Sequence, residues 1–248
     1  MNKIEEVLYE RLTPSNFEAR FRKAPIAYLP LGTLEWHGVH LPLGSDFLQS
    51  QGLFKRLAKR VGGIVLPPLF LGPDGRREVA GVEYYGMDII GYAPNSPQQL
   101  PGSSYWVSNE LFSVLIEAVL KQLSRAGFKI VVAHGHGPST RYLNDHREEL
   151  GKKFSLAIFT LMLVGDKMGS DMGFQSDHAA TNETSIMMAL HPNLVHMENL
   201  PKDMEEWPLA IRGKDPRTYA SAGHGSKIIK FHINRMERIL KDQLSARN

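Results

Sequence analysis

The chain has 248 residues, of which 42% are hydrophobic and 22% are charged, and its formal net charge at pH 7 is only +3. This composition is typical of a globular protein with a substantial core, and it argues against a disordered chain or a strongly basic nucleic-acid-binding protein. Cysteine is absent, which excludes disulfides and thiolate chemistry and leaves His, Asp and Glu as the side chains that can hold a metal ion.

The first residues, MNKIEEVLYERL, carry charges where a signal peptide needs an apolar stretch. No run of eighteen apolar residues occurs anywhere in the chain, so no membrane-spanning helix is expected. The basic residues are scattered, apart from a modest excess near the C-terminus. We therefore expect a cytoplasmic protein whose partners include neither a membrane nor a nucleic acid.

In the first half of the chain, short apolar runs alternate with helical patterns. IAYLPLG, from Ile26, predicts a strand, and Ser45 or Asp46 is predicted to cap the helix DFLQSQGLFKRLAKRVGG. GIVLPPLFLG predicts a second strand. The segment 73–104 is rich in Gly and Pro and poorly periodic, which predicts a long loop or arm.

The second half continues the alternation. NELFSVLIEAVLKQLSRAG predicts a helix, FKIVVAHG a strand, HGPSTRYLNDHREELGKKF a loop leading into a helix, and SLAIFTLMLVG another strand. ETSIMMAL and the C-terminal KIIKFHINRMERILKDQLSARN predict two further helices. Apolar strands that alternate with helices indicate an α/β fold, in which helices cover both faces of a mainly parallel sheet. No linker divides the chain, so we expect one domain over residues 1–248.

Polar residues cluster directly after two of the predicted strands. The first strand runs into TLEWHGVH, which places Glu35 and His37 just past its end, and Asp46 opens the next helix. KIVVA runs into HGHGPST, which places His134 and His136 at the end of another strand. Parallel strands gather their carboxyl ends at one edge of a sheet, so these groups are expected to converge. Carboxylate oxygens and imidazole nitrogens bind Zn²⁺, Mn²⁺ or Fe²⁺, so the pattern predicts a metal site.

The segment SDHAATNETS admits two interpretations. In the first, His178 handles protons or orients a substrate, and Glu183 binds the metal or supports a ligand. In the second, Asp177 and its neighbours cap the ETSIMMAL helix, and the helix dipole favours Glu183 in the first turn. The residues of this segment alone favour the second interpretation.

Two further features remain open. His134 either orients His136, adds a ligand, or fills a polar position in the loop, and the last alternative is favoured slightly. Aromatic residues in or beside the long loop form either a substrate wall or lid, or a subunit interface. These residues are Tyr84, Tyr85, Tyr92, Tyr105 and Trp106.

Several segments together resemble the creatininase (creatinine amidohydrolase) family. LPLGTLEWHGVHLPLGSDFLQS resembles its opening motif, AHGHGPST is similar to its second motif, and DHAATNETSIMMALHPNLV resembles its His-Ala-x-x-x-Glu-Thr-Ser segment. The resemblance implies a three-layer α/β fold and a homo-oligomer, often a hexamer. It also implies hydrolysis of a non-peptide C–N bond in a small amide or formamide, including cyclic ones, by a metal-activated water. One or two divalent ions are expected per subunit, Zn first and Mn or Fe as alternatives.

The resemblance implies roles for individual residues as well. His178 and Glu183 are the expected catalytic residues, one of which moves a proton to the leaving nitrogen. His40 matches a motif position and is expected to support the ligands without binding the ion itself. Asp46 would bridge the ions where two are bound. The expected metal ligands are Glu35, His37, Asp46 and His136.

The chain departs from the family pattern at three positions. Pro138 stands where creatininases carry a metal-binding glutamate, and His134 and Ser139 replace asparagines. Proline cannot bind a metal, so Glu183 becomes an additional candidate ligand; otherwise the second site is weak or empty. Creatinine is then a poor substrate candidate. The alternative function is a catalytically inactive metal-binding or structural homologue.

Overall fold

The computed structural model describes residues 6–90, 97–163 and 170–246. Within them, no helix is long and apolar enough to cross a membrane. The helices and strands are, in chain order, α1 (Pro14–Lys23), β1 (Ile26–Leu31), α2 (Ser45–Arg60), β2 (Ile64–Val65), β3 (Arg76–Val79), β4 (Val82–Tyr85), α3 (Met87–Ile90), α4 (Asn109–Arg125), β5 (Ile130–Gly135), α5 (Gly137–Phe154), β6 (Ala157–Phe159), α6 (Thr181–Leu190), α7 (Pro216–Tyr219) and α8 (Ala222–Ser245).

Four strands form a parallel sheet in the order β2–β1–β5–β6. Strands β1 and β5 pair along their whole length, from Ile26 opposite Ile130 to Leu31 opposite Gly135. At Gly135 φ is 149°, and a Cβ added there would overlap the carbonyl oxygen of Leu31. Glycine therefore lets the two strand ends lie close together, at the edge where polar residues were expected to converge.

Helices cover both faces of this sheet. On one face, Ile26 and Tyr28 of β1 pack in a cluster with residues of α2 and α8. On the other face, Ala27 and Leu29 pack with residues of α4 and α5. Successive residues of a strand point to opposite faces, which explains why every residue of β1 and β5 is buried. The expected three-layer α/β fold with a mainly parallel sheet is confirmed.

Two predicted strands are shorter in the structure than in the sequence pattern. β2 contains only Ile64 and Val65, because Pro67 and Pro68 cannot donate the backbone hydrogen bonds of a continuing strand. β6 spans only Ala157–Phe159, and the last residues of that apolar run lie outside the described part of the chain.

The prediction of a long loop or arm over 73–104 is incomplete, because the segment contains regular structure. Strands β3 and β4 form an antiparallel hairpin, and α3 follows it directly. Ala80 and Gly81 join the strands with φ values of 52° and 79°, and left-handed residues at both positions of a two-residue turn match the twist of a hairpin. Neither strand has a buried face, so its sequence lacks the alternation that predicts a strand. Residues 91–96 lie outside the described part of the chain.

The predicted cap of α2 is also wrong. The helix begins at Ser45, and Gly44 occupies the N-cap position without a side-chain hydrogen bond. The hydroxyl of Ser45 instead donates to the carbonyl of Pro42 at 2.6 Å. Asp46 lies in the first helical turn, and its side chain is buried.

Candidate metal centre

A cavity of about 310 Å³ opens at the carboxyl ends of β1 and β5. Its lining residues include members of all three polar segments that the sequence singles out. This is the edge at which an open parallel sheet places its ligand sites. The predicted site residues that line the cavity are Glu35, Asp46, His136, His178 and Glu183.

The loop after β1 orients His37 through its own backbone. The Nδ1–H of His37 donates to the carbonyl of Glu35 at 3.2 Å, which leaves the lone pair on Nε2. This nitrogen lies 3.3 Å from Oδ1 of Asp46 and 3.6 Å from Oε2 of Glu183. An imidazole whose Nδ1–H donates to a carbonyl and whose Nε2 faces carboxylates has the arrangement typical of a metal ligand, once Nε2 is deprotonated.

His136 is placed in the same way by the start of α5. Its Nδ1 lies 3.1 Å from Oγ of Ser139, one turn into the helix, and its Nε2 lies 3.6 Å from Oε1 of Glu35. Glycine at position 72 lets the backbone there lie close to the start of α5, because a Cβ at this position would lie 2.5 Å from Oγ of Ser139. When Nδ1–H donates to Ser139, the Nε2 lone pair faces the carboxylates.

Two groups of possible ligands meet at one carboxylate. Oxygen or nitrogen atoms of Glu35, Asp46 and His136 lie within 4.8 Å of one another, as do those of His37, Asp46 and Glu183. Asp46 belongs to both groups, as expected for a carboxylate that bridges two ions. Glu183 supplies the other carboxylate of the second group.

Unpaired buried atoms indicate that the site fits a cation. Nε2 of His37 and Oδ2 of Asp46 are both buried, and neither makes a hydrogen bond within the described residues. Burying such atoms without a partner is costly, and a divalent ion bound by N and O ligands would satisfy both.

The electrostatics of the cluster lead to the same conclusion. Burial raises the pKa of Glu35 to about 8 and that of Glu183 well above its usual range. Burial opposes the charged form of His37 too, yet the carboxylates of Asp46 and Glu183 outweigh it and raise the pKa of His37 to about 10. Without a cation, the cluster therefore retains protons to offset its carboxylates, and a divalent ion would displace them.

His178 stacks against His37, with ring centroids 4.4 Å apart. Its Nε2–H donates to the carbonyl of Trp36 at 2.7 Å. Burial, reinforced by the nearby His37, lowers the pKa of His178 to about 3, so the ring is neutral and its lone pair is on Nδ1. Nδ1 of His178 thus has a lone pair that can accept a hydrogen bond.

The SDHAATNETS segment caps a helix, as the second interpretation predicts, and the first interpretation stays a prediction. Asp177 accepts hydrogen bonds from the backbone N–H groups of Asn182, at 2.7 Å, and Glu183, at 3.1 Å, so it caps the start of α6. Glu183 accepts one from Ala179 N–H at 2.8 Å and also faces His37. Capping therefore fixes the position of the carboxylate that joins the second ligand group.

The other two histidines of the first two polar segments, His134 and His40, bond to the protein through Nε2. His134 lies within β5, accepts a hydrogen bond from Leu161 N–H at Nδ1 and donates from Nε2 to the carbonyl of Phe174. Both nitrogens are used, so His134 has no lone pair for a metal. His40 donates from Nε2 to Oγ1 of Thr184 at 2.8 Å and belongs to none of the ligand groups.

Sequence reasoning missed Asp74 and Gln175, which also line the cavity. Oδ2 of Asp74 lies 3.2 Å from Nε2 of His136, and the Gln175 amide donates to the carbonyl of Asp46 at 3.0 Å. Asp74 follows the apolar run that contains β2, so the strand-end rule that found Glu35 could also have found it. Gln175 has φ of 52° and no sequence signal that we recognise.

The aromatic residues of the long segment do not line this cavity. Tyr85 stacks on Trp106 with ring centroids 5.0 Å apart, and both border a separate concave surface. Tyr84 and Tyr105 are likewise not among the cavity residues, and Tyr92 lies outside the described part of the chain. A substrate wall is thus wrong for the four described residues, and the subunit interface stays a prediction.

Comparisons with known proteins identify the family and the fold of the chain. The creatininase family model, described as creatinine amidohydrolase, matches residues 10–240. Creatinine amidohydrolase of Pseudomonas putida is 23% identical over 214 residues, which cover 79% of this chain and 76% of that protein. The 3-dehydro-scyllo-inosose hydrolase of Thermotoga maritima is 22% identical over 232 residues, which cover 89% of this chain and 64% of that protein.

Solved structures show the same fold. A crystal structure of creatinine amidohydrolase (creatininase) aligns with a TM-score of 0.70 and 19% identity, covering 96% of this chain and 97% of that one. A manganese form of creatininase, with a TM-score of 0.70, and a zinc–zinc form of a creatininase mutant, with 0.69, are both 20% identical. Each covers 96% of this chain and 98% of the other.

Proposed function

The chain belongs to the creatininase family, and on this basis we propose that it is a metal-dependent amidohydrolase. Its substrate would be a small amide or formamide, including cyclic ones, in which it cleaves a non-peptide C–N bond. Pro138 takes the place of a glutamate beside the substrate, so creatinine is not our first candidate. The two named relatives are themselves hydrolases, which supports the reaction class.

One observation carries this proposal: Asp46 is shared by two groups of buried N and O ligands at the floor of a cavity. We assign Glu35, Asp46 and His136 to one ion, and His37, Asp46 and Glu183 to the other. Zinc is the first choice, with manganese or iron as alternatives, because the donor set accepts all three. The zinc–zinc and manganese forms of creatininase support zinc and manganese as candidates without ranking them.

Bound divalent cations supply positive charge that acidifies a water molecule and polarises a carbonyl oxygen. The chain itself positions the reactants and moves the proton. Nδ1 of His178 can accept a proton from the attacking water and return it to the nitrogen as the C–N bond breaks. We assign this transfer to His178 because Glu183 is engaged by Ala179 N–H and faces His37.

We also propose that the protein is a homo-oligomer, as the family resemblance implies. The β3–β4 hairpin exposes Val79 and Val82, which are 37% and 40% exposed and would suit contact with another subunit. Light scattering after size-exclusion chromatography should give a mass that is a multiple of the 27.8 kDa chain.

The first experiment is elemental analysis of protein purified without added metal or chelator, followed by hydrolysis assays with cyclic amides and formamides. We expect about two ions per chain and turnover that a chelator abolishes. Glu35→Ala and His136→Ala should lose metal and activity together while keeping the circular dichroism spectrum. Wild-type metal content in both variants would refute the ligand assignment. Bound ions with no hydrolysis of any compound would favour the inactive homologue.

A further inference from the structure

Arg141 and Arg212 also line the cavity whose floor carries the candidate ligands. Within the described residues, neither guanidinium forms an ion pair or a hydrogen bond with another side chain or a carbonyl. We propose that these two arginines bind an anionic group, a carboxylate or a phosphate, carried by the amide substrate. This inference rests on the proposed function and adds the substrate's charge to it.

Arg212 is held beside the proposed proton carrier. Its backbone N–H donates to the carbonyl of His178 at 2.8 Å, and the N–H of His178 donates back to Arg212 at 2.9 Å. The two residues form a hydrogen-bonded antiparallel pair, whose Cα atoms typically lie about 5.5 Å apart. The segment that carries Arg212 is therefore fixed relative to the reacting atoms.

Arg141 is held by the start of α5, which follows His136 directly. The Thr140 N–H donates to the carbonyl of His136 at 2.9 Å, and its hydroxyl donates to that of Gly135 at 3.1 Å. The helical turn that presents Arg141 is thus attached to the end of β5. Both arginines extend from backbone that also holds a site residue.

Several other arginines of the chain have protein partners. Arg217 pairs with Asp215 at 2.7 Å and donates to several loop carbonyls, and Arg60 pairs with Glu237 at 2.5 Å. Exposed arginines without partners are common, but two of them at one cavity, above a candidate metal centre, are not explained by solvation alone. A guanidinium binds a carboxylate or phosphate through two parallel hydrogen bonds, which neutral groups do not match.

The cavity wall indicates the rest of the ligand. Met87, Phe174, Ile90 and Met162 present apolar surface to it, and the last two are 46% and 37% exposed. A volume of about 310 Å³ lies at the lower end of small-molecule sites. The ligand class is therefore a small amide with a short apolar body, whose amide reaches the floor and whose anionic end meets the arginines.

Matched compounds can test the charge requirement on metal-loaded protein. L-Pyroglutamate and 2-pyrrolidinone are cyclic amides that differ in a carboxylate. N-Formyl-β-alanine, N-formylaminoethyl phosphate and N-formylethanolamine are formamides with a carboxylate, a phosphate and a neutral end. Calorimetry should show at least about tenfold tighter binding of an anionic member than of its neutral partner, as expected for hydrogen bonds to a charged group. The stronger of the two anionic formamides identifies the anion.

Variants then test the residues. Arg141→Gln and Arg212→Gln should each weaken binding of the anionic member by roughly 10- to 100-fold and leave the neutral member unchanged. Arg125→Gln, at the far end of α4, is the matched control and should behave as wild type. Because the substituted arginines are exposed, the melting temperature should change little. Replacing either arginine with lysine, which keeps the positive charge, should retain part of the affinity for the anionic member.

Binding measurements test the arginine inference, and hydrolysis measurements test the proposed function. If wild type binds no anionic compound more tightly than its neutral partner, or if the preference survives in the double Gln variant, the arginine inference is wrong. Hydrolysis of the neutral compounds would still support the amidohydrolase. Conversely, arginine-dependent binding of an anionic amide that is never hydrolysed would contradict the proposed function and leave the binding inference intact.

Discussion

Four buried histidines lie at the end of β5 or in the segments that follow β1 and β5, and they divide into two layers. In the facing layer, His37 and His136 each turn Nε2 toward carboxylates. In the supporting layer, His40 and His134 bond through Nε2 to Thr184 and to the carbonyl of Phe174, although His134 also lines the cavity. Residue type, burial and sequence neighbourhood are the same in both layers.

The two layers differ in which ring nitrogen bonds to the protein. In the facing layer, Nδ1 is close to a local acceptor, the Glu35 carbonyl or Ser139, which leaves Nε2 for a cation. In the supporting layer, Nε2 itself is used by the protein. A histidine near carboxylates is thus a ligand candidate only when the lone pair that points at them is not already engaged.

The largest expected effect comes from the residue common to both ligand groups. Asp46→Asn keeps the shape of the side chain but removes the shared charge, so we expect both ions to be lost. Hydrolysis should fall at least about a thousandfold, since the ions contribute several kcal/mol and each 1.4 kcal/mol is a factor of ten. His40→Gln, in the supporting layer, is the control and should retain its ions. Full metal occupancy in Asp46→Asn would show that the facing layer is not a metal site.

A second pair of variants separates the two groups. Glu35→Gln and Glu183→Gln should each lose about one of two ions, since each glutamate belongs to only one of the groups that share Asp46. Glutamine at 183 can still accept the Ala179 hydrogen bond, so the start of α6 should keep its structure. The measurement is metal per chain by elemental analysis, with circular dichroism for folding. Loss of both ions, or of none, in both variants would contradict the assignment to two groups.

A smaller effect is expected from the hydroxyl that orients His136. Ser139→Ala removes the oxygen 3.1 Å from Nδ1 without touching a ligand, and it should weaken metal affinity by about 10- to 100-fold. Competition with a chromogenic chelator measures this affinity. Ser124→Ala, near the end of α4, removes a hydroxyl that bonds the carbonyl of Phe154 and should leave affinity unchanged. Equal affinities of the two variants would show that Ser139 does not orient the ligand.

The smallest effect concerns the supporting layer and appears as a pH dependence. Burial lowers the pKa of His40 from 6.5 to about 4. Its native-state pKa lies below the unfolded value, so as pH falls from 6.5 to 4 the unfolded chain takes up a proton that the native chain does not. Stability should therefore decrease over this range, by up to roughly 2–3 kcal/mol from this residue. Urea unfolding of metal-free wild type and His40→Gln between pH 7 and 4 measures the difference. Parallel curves would exclude this role.

The sequence pattern was enough to predict the sheet and the residues at its edge. Buried strands such as β1 and β5 are continuous apolar runs, and Glu35 and His136 follow them within a few residues. These contacts depend on short stretches of chain and on the rule that parallel strand ends meet, so local pattern predicts them well.

Other features depend on contacts that no local pattern encodes. The hairpin of β3 and β4 is exposed on both strands, so hydrophobic periodicity is absent. Asp74 reaches His136 across 62 positions of the sequence, and Gln175 reaches Asp46 across 129. The role of His134 depends on the carbonyl of Phe174, which comes near β5 only after the later segments have packed.

Gly72 illustrates how such packing limits sequence change. It contributes no side chain to the centre, yet a Cβ there would lie 2.5 Å from Oγ of Ser139 and 3.0 Å from Nδ1 of His136. In a library that randomises every position, Gly72 should tolerate substitution about as poorly as the ligands themselves. Gly75, three residues on, has open space around it and should accept most replacements. A map of mutational tolerance would therefore also identify residues that pack against the centre without binding a metal or transferring a proton.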